Sequence, residues 1–144
     1  MRQFGQKQSG VGMIEVMVAI LVLAVGVLGV VALQAMTLKN TGSSAERTQA
    51  TVQIYSMMDI IRADRDNLGA YNTNIYSGAD AGGASNPGTV NAWLQSLQTT
   101  VSADAQGLIV CVADEMQCRV GVQWNDSRAT GGAEVQQIEV SAQL

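Results

Sequence analysis

The chain has 144 residues and a net charge of −4, with 8 Lys and Arg, 12 Asp and Glu, and no His. This length is typical of one domain, and an acidic composition does not favour contacts with phosphates, so nucleic acid is not an expected partner. Without His, a Ser or Cys nucleophile activated by an imidazole is excluded, and two Cys are too few ligands for a zinc site. We therefore expect a protein that is not an enzyme and that has no metal site, no cofactor and no small-molecule substrate.

The chain begins with a short basic leader and a long apolar run. The leader, residues 1–10, carries Arg2 and Lys7 and ends at Gly10. The run, residues 16–33, has no polar side chain, and as a helix it would span about 27 Å, close to the hydrocarbon thickness of a bilayer. The sequence therefore predicts a membrane helix within residues 11–38. The positive-inside rule leaves the basic leader in the cytoplasm and places residues 39–144 in the periplasm.

Glu15 lies directly before the apolar run. A carboxylate at the centre of a membrane helix costs about 2.5–3.5 kcal/mol and less near the interface, so its position invites a functional explanation. An ordinary secretory signal has its apolar segment before the cleavage site, whereas here the apolar run follows the leader. We hypothesise that cleavage between Gly10 and Val11 creates an amine that pairs with Glu15 of the same or a neighbouring subunit. The alternative is that Glu15 only reaches the lipid headgroups.

Residues 10–20, Gly-Val-Gly-Met-Ile-Glu-Val-Met-Val-Ala-Ile, resemble the class III signal of type IV pilins and type II secretion pseudopilins. Val11 and Gly12 replace the Phe and the Thr or Ser that are usual in that family. Further segments are similar to the minor pilins called type IV pilus modification protein PilV: residues 25–35, 47–50 and 58–63, and Tyr71. The similarity covers about the first half of the chain.

This resemblance implies that a prepilin peptidase cuts after Gly10 and methylates the amine of Val11. It also implies a subunit in the bacterial inner membrane before assembly and in an extracellular pilus afterwards, with other major and minor pilins as partners through its N-terminal helix. The implied role is to initiate pilus assembly or to modify the pilus, as in adhesion and motility. Three alternatives stay open: a minor pseudopilin of a type II secretion system, an uncleaved, membrane-anchored periplasmic binding domain, and an adhesin or DNA-capturing tip.

No proline precedes Pro87, so a helix can continue from Val11 into the sixties. Residues 40–44 are small or polar, and we expect them to loosen the helix there. Beyond them, an apolar stripe with helical spacing predicts one buried face, formed by Ala50, Ile54, Met57, Met58 and Ile61. Residues 64–69 should end the helix, and residues 71–88 should form a connecting loop.

The second half of the chain is expected to contain a short helix and three antiparallel strands. Thr89 is predicted to cap the helix, whose buried side would be formed by Ala92, Trp93, Leu97 and Val101. Apolar runs and alternation predict the strands over residues 108–112, 118–124 and 138–144. Trp93 and Trp124 are expected in the core. The predicted fold is α+β and pilin-like, with the second half of the long N-terminal helix packed against the small sheet.

Cys111 and Cys118 belong to the first predicted hairpin. If residues 113–116 form a four-residue turn, the two Cys lie directly opposite each other, and opposed Cβ atoms are about 4.5–5.5 Å apart, close enough for a disulfide after modest adjustment. A domain outside the cytoplasm favours the disulfide. Two reduced thiols in the core are the alternative.

Overall fold

The computed structural model describes residue 10 and residues 12–79 and 87–144. The chain divides into two compact units, Met1–Thr37 and Leu38–Leu144. Helix α1, Met13–Ala63, contributes residues to both units. The second unit also contains a 3₁₀ helix at Arg65–Tyr71, helix α2 at Pro87–Thr100, and strands β1 at Gln106–Val112, β2 at Gln117–Trp124 and β3 at Gln136–Gln143. The predicted α+β, pilin-like arrangement is confirmed.

Helix α1 buries the apolar stripe that the sequence predicts. Its buried residues are Ala50, Ile54, Met57, Met58 and Ile61, each with an exposed fraction of 0%. Residues 40–44 are helical too, so the expected loosening of the helix is not observed. Weak intrinsic helix propensity is often overridden by tertiary contacts, and this segment has such contacts.

Helix α2 differs from the prediction in its start and in its buried face. It begins at Pro87, a residue that suits the first helical position because its missing N–H would have no partner there. Thr89 therefore lies inside the first turn and does not precede the helix. Ala92 is exposed, and the buried residues are Val90, Trp93, Leu94, Leu97 and, just after the helix, Val101. They follow the spacing i, i+3, i+4, i+7 and i+11, which puts Ala92 on the solvent side.

The three strands form one antiparallel sheet in the order β1-β2-β3. Its inner face meets α1 and α2 in a single core, to which β1 and β2 contribute the buried Ile109, Val120, Val122 and Trp124. Strand β3 adds the partly buried Ile138, Val140 and Ala142. The sheet therefore covers the stripe of α1, as expected.

Residues 72–77 run along the outer edge of β1. The N–H groups of Thr73 and Asn74 donate to the carbonyl of Ile109 at 2.9 and 3.3 Å. Ser77 and Gly107 exchange two backbone hydrogen bonds of 2.9 Å. The first part of the predicted loop is thus ordered against the sheet, and it closes one edge of that sheet. Strand β3 forms the other edge.

Candidate functional site

The junction between the leader and the apolar run lies at the start of α1. The carbonyl of Gly12 accepts hydrogen bonds from the N–H groups of Glu15 at 2.9 Å and Val16 at 3.4 Å, so the helical bonding begins at Gly12. Glu15 lies in the first turn of α1 and is exposed. A carboxylate in the first turn interacts favourably with the free N–H groups and the dipole of the helix. This placement keeps Glu15 next to the chain that precedes the helix.

Gly10 is exposed, and a Cβ added to it would have no heavy atom within 4 Å. Val11, predicted as the first residue after cleavage and as the methylated residue, lies outside the described residues, as do residues 1–9. Cleavage and methylation remain predictions.

The other described residues do not cover the apolar run. Its large apolar side chains have exposed fractions from 48% at Val16 to 69% at Leu28. Helix α1 contains a segment that is long and apolar enough to cross a membrane, with a mean hydropathy of 3.1. Because soluble proteins rarely expose so large a continuous apolar surface, this half of the helix requires lipid or other helices around it.

Cys111 and Cys118 are joined by a disulfide across the β1–β2 hairpin, with a Cα–Cα distance of 4.1 Å. They are directly opposite each other in the strand register, and the N–H of Met116 donates to the carbonyl of Ala113 in the intervening turn at 3.1 Å. The predicted disulfide and the predicted turn are confirmed.

A polar contact that the sequence did not predict joins α1 to the loop between β2 and β3, residues 125–135. The carboxylate of Asp126 is 2% exposed and accepts hydrogen bonds from the hydroxyl of Ser43 at 2.7 Å and the guanidinium of Arg47 at 3.0 Å. The amide oxygen of Asn40 accepts from the N–H of Thr130 at 3.1 Å. We call these contacts the helix clasp.

Two further bonds extend the helix clasp along α1. Glu46 accepts from Arg128 at 2.8 Å, and Arg47 also donates to the side chain of Gln136 at 3.0 Å. The α1 residues of the clasp recur at helical spacing on one face, which explains how a segment of poor helix formers remains helical. That recurrence of polar residues was the signal available in the sequence, but it does not identify Asp126 as the partner.

Asp64 and Tyr76, in two side-chain clusters outside the clasp, are among the groups with shifted pKa values. Hydrogen bonds from Asn67 and then from Tyr71 lower the pKa of Asp64 at the end of α1. Burial, and then the hydrogen bond of 2.7 Å to Glu139, raise the pKa of Tyr76. Both shifts follow from side chains that hold the connecting segment in place, and neither cluster contains the arrangement of a catalytic site.

Within residues 12–79 and 87–144, no group of three or more His, Cys, Asp and Glu side chains is placed to hold a metal ion.

Residues 5–31 match the family model of the prokaryotic N-terminal methylation motif. The match includes Gly10, Glu15 and most of the apolar run, and it supports a type IV pilin-like protein. Proteins with this motif are structural subunits and are not typically enzymes. The motif implies processing by a prepilin peptidase and assembly with other pilins. Neither a curated protein nor a solved structure matches the chain.

Proposed function

We propose that this protein is a PilV-like minor pilin that acts in the initiation of type IV pilus assembly or in modification of the pilus. A prepilin peptidase removes residues 1–10 and methylates Val11. Residues 11–38 anchor the subunit in the inner membrane and later pack among the helices of other pilins. Residues 39–144 form the domain that is periplasmic before assembly and extracellular afterwards.

The observation that carries this proposal is the uncovered apolar helix with Glu15 in its first turn. Its apolar side chains are exposed all round, and the matched motif extends from the leader into this helix. In a lipid anchor alone, the carboxylate at the start of the apolar run would only stabilise the first helical turn or reach the headgroups. Bundled helices give it a role in assembly, because a charge in a medium of low dielectric is tolerated when an opposite charge is beside it.

The proposed role of Glu15 is to make assembly depend on processing. Cleavage after Gly10 leaves a positive amine at Val11, four residues before the carboxylate. When the helix leaves lipid and joins a bundle, Glu15 pairs with this amine on its own or a neighbouring subunit. An unprocessed subunit lacks the amine at that position, so its carboxylate would enter the bundle without a partner.

The N-terminus of the chain recovered from its native host tests the processing step. Mass spectrometry should find a chain that begins with methylated Val11. A chain that retains Met1 would contradict the proposal and would support an uncleaved membrane anchor. Gly10→Val is the matched control, because a bulky side chain next to the scissile bond should block cleavage and leave the leader in place.

Glu15→Gln tests the pairing step, since it removes the charge and keeps the size of the side chain. Leaving one partner of a poorly solvated ion pair uncompensated costs about 3–5 kcal/mol, so the variant should be cleaved and inserted normally but reach sheared filaments at least about tenfold less often. Glu15→Asp retains the charge and should be incorporated better than Glu15→Gln. Normal incorporation of Glu15→Gln would remove the proposed role.

A strain of the native host that lacks this chain separates pilus function from secretion. Deletion of this chain should reduce the number of pili or change adhesion and motility. A defect confined to the export of secreted enzymes, with normal pili, would instead identify a minor pseudopilin of a type II secretion system.

A further inference from the structure

Strand β3 forms one edge of the sheet, and no strand in the described part of the chain pairs with its outer side. The N–H of Leu144 donates to the carbonyl of Met116 at 2.8 Å, which continues the register in which Gln143 lies opposite Gln117. In an antiparallel ladder, hydrogen-bonded pairs alternate with pairs that are not bonded to each other. The N–H and C=O groups that point away from β2 therefore belong to every second residue of β3, namely Gln137, Glu139, Ser141 and Gln143.

This edge lacks the features by which proteins usually block strand addition. Strand β3 has eight residues without Pro, Lys or Arg, and its register with β2 runs without a bulge. Its one charged side chain, Glu139, is held by Tyr76 at 2.7 Å and lies 3.8 Å from Arg119. Among the described residues, only the side chain of Gln136 donates a hydrogen bond to these outward groups, to the carbonyl of Gln137 at 3.5 Å. Natural proteins normally protect an edge of this length.

We propose that the free edge of β3 is a docking site for an extended, basic segment of a different protein chain, which adds to the sheet as a fourth strand. The opposite edge, at β1, is already occupied by residues 72–77. Backbone hydrogen bonds would give the affinity, and side chains at alternate positions would give the specificity.

The side chains of β3 define the chemistry of this partner. Ile138, Val140 and Ala142 on the inner face are only partly buried, so apolar side chains of an added strand would cover them. On the outer face the partner would carry polar residues, including Lys or Arg. Glu139 is already compensated by Arg119, whereas Glu134, just before β3, is exposed and makes no ion pair with another described residue. The uncompensated charge beside the edge is therefore negative, which makes a basic segment the complementary one.

A second copy of this chain does not meet these requirements. Antiparallel pairing of two β3 edges creates a two-fold axis perpendicular to the sheet. Because α1 packs on the inner face of the sheet, this axis would make the α1 helices of the two copies run in opposite directions. Two copies anchored in one membrane have helices that run the same way. Self-pairing would also add acidic side chains to an edge that already has two.

The test uses the full chain in detergent and a labelled eight-residue peptide in which valine alternates with lysine or threonine. Fluorescence anisotropy should detect saturable binding to the wild-type protein. The same peptide with methyl groups on alternate backbone nitrogens cannot donate to the edge, and its affinity should be at least about tenfold lower. Binding of both peptides with equal affinity, or no saturable binding of the unmethylated peptide, would overturn the proposal.

Ser141→Pro is the matching protein variant. It removes an outward N–H without removing a bond to β2, a position where an edge strand tolerates Pro. This variant should lose at least about tenfold in affinity, whereas Ser141→Thr should bind as the wild type does. Equal binding by all three proteins would exclude the edge as the site. If Ser141→Pro unfolds, the pair of peptides still decides the question. The assay does not depend on cleavage after Gly10, so its outcome is independent of the proposed pilin function.

Discussion

The guanidinium of Arg47 donates a hydrogen bond of 3.0 Å to the buried carboxylate of Asp126, a residue 79 positions later in the chain. Ser43, one turn earlier on α1, donates to the same oxygen. Because Asp126 is 2% exposed, neither solvent nor another described cation can replace these donors without moving the loop. The helix clasp thus fixes the β2–β3 loop on the part of α1 that has the weakest intrinsic tendency to be helical.

Removal of the Asp126 carboxylate should destabilise the domain. Asp126→Ala removes the shared acceptor of two hydrogen bonds, one from the half-buried Ser43 and one from Arg47, whose side chain is 47% exposed. Because a hydrogen bond contributes about 0.5–1.5 kcal/mol, we expect the free energy of unfolding to fall by about 1–3 kcal/mol. Urea unfolding of the full chain in detergent, followed by circular dichroism, measures this change. Hydrogen exchange of residues 40–44 should also become faster, since the contacts that keep them helical are lost.

Glu46→Gln is the control for the clasp. Its partner Arg128 has a side chain that is 74% exposed, so the ion pair should contribute only about 0–1 kcal/mol. Equal losses of stability in Asp126→Ala and Glu46→Gln would mean that burial of the Asp126 carboxylate is not the cause.

Gly107 should not tolerate a side chain. A Cβ at this position would lie 2.3 Å from the ring of Trp93, and it would also contact Leu94 at 2.8 Å. We expect Gly107→Ala to lower the free energy of unfolding by about 1–3 kcal/mol, because α2 must move away from the sheet. Thermal unfolding and tryptophan fluorescence measure the effect. At Gly69 an added Cβ meets nothing within 4 Å, so Gly69→Ala should change both measurements much less.

Alkaline unfolding should depend on Tyr76. Burial and the bond to Glu139 raise its pKa in the folded state above the unfolded value of about 10. The stability from this group is therefore fully present below about pH 10 and is lost as the pH rises from there through the folded-state pKa. The free energy of unfolding of the wild type should fall more steeply above pH 10 than that of Tyr76→Phe. Parallel curves for the two proteins would contradict this assignment, since Tyr55 and Tyr71 are present in both.

Reduction of the disulfide should lower the stability of the hairpin. Cys111 and Cys118 are separated by 7 positions, and closing a loop of that size stabilises a fold by about 2.5 kcal/mol in the chain-entropy treatment. A phosphine reductant should shift urea unfolding of the wild type to a lower midpoint. The double variant Cys111→Ala, Cys118→Ala should start from the lower midpoint and should not respond to the reductant. A response of that variant would show that the reductant acts elsewhere.

The sequence patterns that predict the structure correctly are local ones. The apolar stripe of α1 and the alternation within the strands are periodic patterns, and each period selects one secondary structure. The spacing of Cys111 and Cys118 around a four-residue turn likewise predicted their partner. The pattern of α2 is less specific: it predicts Ala92 on the buried face, whereas the structure exposes Ala92 and buries Leu94. A short helix can place either side toward the core, and only its contacts with β1 and α1 select the side.

By itself the sequence determined the long helix, its uncovered apolar half, the position of Glu15 at its start, and the pairing of the two Cys. These features depend on residues that are close together in the chain. The tertiary structure alone decided that residues 40–44 remain helical, that Asp126 is their partner, and which edge of the sheet stays open. Each of these depends on contacts between residues far apart in the chain, and no local pattern specifies which distant residues meet.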